Sequence, residues 1–226
     1  ADGTDTTATT LNTTWNTDEN RNLKIFTPYL YGEVGTSQRH VGKYSSTFYE
    51  YVGNLDAYVK YLKIEGLQIH FVGVGGSAGL YIDPTGPSTA SKIRIYDNFI
   101  FQDAGSAGNY NRGIRHVSGY MIARNNILVN FNTGTNSEGI TTQDGAALIY
   151  NNTVYNCLTG YDLNGPHGSS VILKNNIAQN CTNGYSNGFN ADSNYNLSDL
   201  AADAPGANAK NLTAVVFRNT AAKDFR

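Results

Sequence analysis

The chain has 226 residues, a formal charge of −2 and only 15% charged residues. That balance excludes a chain-wide basic field for nucleic acid or acidic lipid. No run of 18 apolar residues occurs, so no membrane-spanning helix is expected. Helices draw on Glu, Lys, Leu and Ala, whereas this chain carries 24 Gly, 16 Tyr and abundant Asn, Thr and Ser, a composition for strands and turns. Two Cys make no disulfide framework and leave the redox compartment open. The first residue is Ala1, as expected of a chain whose leader was removed or of a piece of a longer chain.

Residues 1–58 do not repeat. "NLKIFTPYL" at 22–30 and "TFYEYVGN" at 47–54 read as strands separated by a loop, and the segment is expected to form an N-terminal cap or an irregular first coil. From 59 to 198 the chain echoes itself. "NNTVYNC" at 151–157 returns as "NNIAQNC" at 175–181, and "ARNNILVNF" at 123–131 and "IYDNFIFQD" at 95–103 precede them. The aligned positions are Leu67, Asn98, Asn126, Asn152, Asn176 and Asn196, spaced 31, 28, 26, 24 and 20 residues apart. A second, Gly-led echo lies between them: "AGLYID" at 78, "RGIRHV" at 112, "EGITTQ" at 138, "TGYDLN" at 159 and "NGYSNG" at 183.

A period in the twenties with strands and no helical pattern predicts a solenoid. Leucine-rich repeats need Leu at fixed positions, and ankyrin and tetratricopeptide repeats need helices. The remaining solution is all-β: a right-handed parallel β-helix of about five to six coils. Alternation then points Ile95, Ala123, Ile149 and Leu173 inward before the Asn corner, and Ile100, Leu128, Val154 and Ala178 inward after it. Asn suits a sharp corner because it tolerates left-handed backbone, and its amide can pair with the Asn one coil away. Asn98, Asn126, Asn152 and Asn176 are therefore expected to be buried, stacked and mutually hydrogen-bonded. Cys157 and Cys181 fall at one site on adjacent coils and are expected to stack as thiols, since in-register side chains suit the disulfide dihedral poorly. Residues 199–226 form a closing segment, with "TAVVF" at 213–217 expected to pair as a strand on the last coil.

"VKYLKIEGLQIHF" at 59–71, followed by the repeated Asn-corner pattern, resembles the right-handed parallel β-helix, pectate-lyase-like superfamily. The tail from "NYNLSDLAADAPG" to Arg226 is similar to the closing segment of secreted bacterial and phage-borne members, and stops where those continue for a few more residues. The resemblance implies an extracellular, cell-surface or virion location. It spans lyases, hydrolases, epimerases, tailspikes, adhesins and fibres, so function has to be read from side chains.

Lyases of that class use an Arg or Lys base and Ca²⁺ held by clustered Asp. Here the outward positions offer Tyr81 and Asp83, Arg115, Thr141 and Gln143, then Asp162 and Asn164, with Asp162 about 10 Å and two coils from Arg115. That is one acid and one base, not a cluster, so calcium is expected only if the chain is a lyase, and no other cofactor or metal is expected. Glycoside hydrolysis needs two carboxylates at a set separation. "GPHG" at 165–168 and "KIRI" at 92–95 match the polygalacturonase-like motifs in the wrong order and without the acidic pair. His116 reads as a core histidine. The weak catalytic candidates are Arg115, Asp144, Asp162, His167 and Lys174, and the carbohydrate-binding candidates are Tyr81, Tyr110 and Asp83. Tyr-rich faces with few charges favour a non-catalytic structural, assembly or carbohydrate-adhesion role. The alternative is a secreted polysaccharide lyase or glycoside hydrolase. Expected partners are a polysaccharide or further copies of the chain as a homo-oligomer, with neither nucleic acid nor membrane insertion.

Overall fold

A computed structural model describes residues 3–73, 75–84, 91–105, 108–165 and 170–226. Three long sheets, all parallel, stack around one core to make a right-handed parallel β-helix. Among the described residues sheet A has eight strands, sheet B seven and sheet C six. The chain visits them in the order A, B, C in each coil, and the Asn corner is the turn from C to A. The first rungs come from the non-repeating segment: Thr4–Asp5, Thr9–Leu11 and Leu23–Phe26 each begin one sheet. The strand ladder thus starts before the sequence repeat does.

The corner divides its labour between two residues, which corrects the reading of the ladder Asn as the left-handed one. Positive φ belongs to the residue before it: Gly66, Asp97, Asn125, Asn151, Asn175 and Tyr195. The second residue, Asn98, Asn126, Asn152, Asn176 or Asn196, is fully buried. Its Oδ1 accepts from the backbone N–H and the Nδ2 of the Asn on the preceding coil, at 2.9–3.1 Å. Its own Nδ2 also donates to the carbonyl of the strand before the corner of the preceding coil, as Asn152 does to Ala123. The ladder begins where the Leu67 N–H donates to Asn98 and ends where Asn196 donates to the Pro205 carbonyl. Every amide inside the ladder therefore has partners above and below. A second, more exposed ladder links Asn130, Asn156 and Asn180 by amide bonds of 2.8 and 3.2 Å, all three in left-handed backbone.

The core tapers in two opposite senses. On sheet A the inward row reads Tyr51, Ile69, Ile100, Leu128, Val154, Ala178 and Ser198. On sheet B the facing row reads Leu55, Leu80, Ile114, Ile140, Tyr161 and Tyr185. As one wall loses volume, the other gains it, which keeps the interior filled. Tyr161 and Tyr185 stack at 4.9 Å, and their hydroxyls donate to the carbonyls of Asn152 and Asn176 at the Asn corner. Glycines 113, 139 and 160 sit where a Cβ would strike the side chains of Leu128, Val154 and Ala178, which explains the Gly of the second echo. Cys157 and Cys181 are buried free thiols, as expected.

The closing segment departs from expectation. Residues 213–217 form no strand. Residues 199–213 instead fold over the end of the last coil: Asp203 accepts from the Tyr185 N–H, and Lys210 bridges Leu197. The chain then runs back across the outside of sheet A. Gln179 clasps the backbone of Val215 through both its amide atoms, at 2.7 and 3.1 Å. Phe217 and Phe225 pack on Tyr155, and Phe225 also reaches Phe99. The Phe225 N–H donates to Gly42 and the Tyr44 N–H to Lys223, so the tail meets the N-terminal segment. Arg226 holds the Asp224 carboxyl down at about 2 and locks the end of the tail.

Candidate functional site

The outer face of sheet B collects most of the residues singled out from the sequence. In register along the coil axis lie Asp56, Tyr81, Arg115, Thr141, Asp162 and Ser186. Alternation brings them to one face, because each repeat presents the same position outward. Arg115 donates to the Gln143 carbonyl oxygen through Nε and Nη2, at 3.3 and 3.1 Å, and its guanidinium lies 5.2 Å from the Tyr81 ring. Asp83 accepts from the Ser118 hydroxyl at 2.9 Å and from the Tyr81 hydroxyl at 3.4 Å. Asp162 is two rungs from Arg115, as the spacing predicted, and accepts from Asn187 Nδ2 at 2.8 Å. Burial raises its carboxyl above the ordinary value.

Two residues that sequence reasoning passed over form the base of this face. Arg112 and Glu138 are register partners on adjacent rungs, joined at 2.5 Å with side chains only 5% and 4% exposed. Arg112 also donates to the Tyr110 carbonyl, which ties the pair to the loop carrying Tyr110. Burial raises the Glu138 carboxyl; Arg112 opposes that shift and the nearby Asp162 adds to it. The signal was present, since both residues lead the "RGI" and "EGI" echoes.

Tyr110 is exposed, in left-handed backbone, with its ring 5.5 Å from the Arg112 guanidinium. Toward the N-terminus the face continues into aromatic surface. Tyr58 and Tyr81 rings are 5.8 Å apart, and Tyr58 with Trp15, Asn16, Thr17 and Lys60 lines a cleft of about 310 Å³. Trp15 is 54% exposed. This strip has the amphipathic character that sugar rings meet: aromatic faces for C–H surfaces, amides and carboxylates for hydroxyls.

The other candidates lie elsewhere. Asp144 is exposed in the turn from sheet B to sheet C. Lys174 projects from sheet C, on a different side of the solenoid from Arg115 and Asp162. His167 lies outside the described residues. His116 is fully buried inside sheet B beside Thr142, and burial pushes its imidazole down to about 4. Among the described residues no three His, Cys, Asp or Glu stand close enough to hold a metal ion. The chain matches no protein-family model, no curated protein and no solved structure.

Proposed function

We propose that the chain is a non-catalytic carbohydrate-adhesion module of the pectate-lyase-like β-helix class, working outside the cell or on a cell or virion surface. The observation that carries this is the continuous strip from Trp15 through Tyr58 and Tyr81 to Arg115 and Gln143, laid along the solenoid axis. A glycan running parallel to the axis would stack on the aromatic end and hydrogen-bond at the polar end. The polar groups there already satisfy one another, which suits holding hydroxyls better than moving protons. Calorimetric titration with a panel of neutral and acidic glycans tests it. Binding that falls about tenfold in Tyr58→Ala and Tyr81→Ala supports the reading, and binding indifferent to both overturns it.

A second reading rests on the Arg112, Glu138 and Asp162 cluster. Two carboxyls, each raised by burial, beside a cation are what acid-base cleavage of a polysaccharide requires. Release of reducing ends or of unsaturated product on incubation with the same panel, abolished in Glu138→Gln, would establish the enzyme and displace the adhesin.

A further inference from the structure

Sheet C has an outer face unlike the rest of the molecule. Six of the chain's sixteen Lys and Arg side chains project from it: Lys24, Lys63, Lys92, Arg94, Arg124 and Lys174. Of its eighteen Asp and Glu, this face carries Glu65. A chain with net charge −2 thus concentrates cations on one side and is acidic over the remainder. Lys24 and Lys63 are matched by Glu65, and Lys92 by Glu19. Arg94, Arg124 and Lys174 make no ion pair among the described residues.

The unpaired cations are not scattered. One outward row reads Tyr96, Arg124, Tyr150 and Lys174 on four successive rungs. Aromatic and cation alternate, so like groups recur every two rungs, about 10 Å apart. The Arg124 guanidinium lies 4.2 Å from the Tyr96 ring. At the far end Tyr150 and Lys174 line a cleft of about 270 Å³ with Leu148 and Ile172. No segment of the described chain crosses this row as the tail crosses sheet A.

We propose that this face is a second polymer-binding surface, and that it takes a linear acidic polysaccharide in which every second sugar carries an anion. An extended disaccharide is about two rungs long, so successive anions fall on Arg124 and Lys174 while the neutral sugar between them stacks on Tyr150; Tyr96, only 8% exposed, supports the Arg124 guanidinium from beneath. Arg94 flanks the row and receives the anion on entry. The spacing decides against nucleic acid, whose strand carries a charge about every 3.4 Å and would leave most phosphates unmatched. The proposal does not depend on the sheet B reading, because the two faces share no residue.

The test is titration of the full chain with hyaluronan, whose carboxylates alternate with neutral sugars, at low and high salt. Polygalacturonate, dextran and single-stranded oligothymidylate are comparison arms. Hyaluronan is expected to bind, to weaken with salt, and to weaken about tenfold or more in Arg94→Ser/Arg124→Ser/Lys174→Ser. The exposed single variant Lys174→Ser should weaken it in the same direction, guarding against misfolding of the triple variant. The triple variant on sheet C should keep whatever neutral-glycan binding the native chain has, which separates failure here from failure there. The proposal is overturned if hyaluronan does not bind, if polygalacturonate or oligothymidylate binds more tightly, or if the triple variant binds as the native chain does.

Discussion

Sheets A and C meet at the Asn corner, yet their outer faces have opposite fates. Sheet A presents Phe99, Phe101, Val129 and Tyr155 outward, and the chain returns to cover them with Phe217 and Phe225 in a second apolar cluster. Sheet C presents cations and tyrosines at the equivalent positions, and no described segment covers that row. Both faces are aromatic. What separates them is that Lys and Arg can cover ring surface with a group that itself stays hydrated, as the Lys24 ammonium does over Phe26 at 4.0 Å. A bare sheet can thus stay solvated if every aromatic has a cation for a neighbour, and otherwise needs more chain. An outer row is informative when read along the coil axis, across repeats, rather than along the sequence.

The shared corner offers the hardest blow to both faces. Replacing Asn152 by Leu leaves the Asn126 N–H without its acceptor and takes one bond each from Asn126 Nδ2, Asn176 Oδ1 and the Ala123 carbonyl, while Asn126 Nδ2 keeps Ile95 and Asn176 Oδ1 keeps the backbone N–H of residue 152. At about 1–3 kcal/mol per buried orphan, a loss of about 4 kcal/mol is expected by denaturant unfolding, and an unchanged midpoint would refute the ladder. Breaking only the cover of sheet A should do slightly less. Phe225→Ala is expected to lose about 3 kcal/mol and to make the protein bind a hydrophobic dye, because it bares the apolar cluster on Phe99.

Acid probes the interior that both faces enclose. His116 has a folded-state value of about 4 against an ordinary 6.5, so the unfolded chain binds its proton first. The His116 contribution to stability is expected to be constant above pH 6.5, to fall as pH drops from there toward 4, and to level off below, by about 3 kcal/mol in all. His116→Gln should flatten that part of the pH profile if the buried imidazole causes it. Smallest is sheet C itself. Arg94→Ser should shift unfolding by no more than about 0.5 kcal/mol, since the side chain supports no packing and no ion pair. A loss as large as that of Phe225→Ala would erase the distinction between a face that holds the fold together and one left free to bind.

The ladder was legible because its signal is repeated in the same letters: "NN" recurs at each corner, and period-two alternation fixes which residues face in. What the letters did not separate was the role of each Asn, since left-handed backbone and amide stacking favour the same residue type. The first coil was illegible because the turn after Leu23–Phe26 carries no Asn pair and a long loop separates it from the next strand, Glu50–Val52. Tyr161 and Tyr185 were not singled out as core residues. They are core, because a Gly-led strand points two consecutive positions inward. The candidates on sheet B were brought together as the register predicted, whereas Lys174, another of the weak catalytic candidates, lies on another face. The cationic row escaped notice because each repeat contributes only one or two members, and the near-zero net charge conceals a local excess.

The opposed taper of the two core walls sets a limit on how this chain could have varied in length. A solenoid of interchangeable repeats can lose or duplicate a unit by slippage and still close its interior. Here Val154 and Ala178 fit only against Tyr161 and Tyr185, and Ile69 and Ile100 only against Leu80 and Ile114. Each repeat is addressed to its own level. Moving one up or down by a coil would set two large walls face to face or leave two small ones apart, so the order of these coils is fixed from the inside.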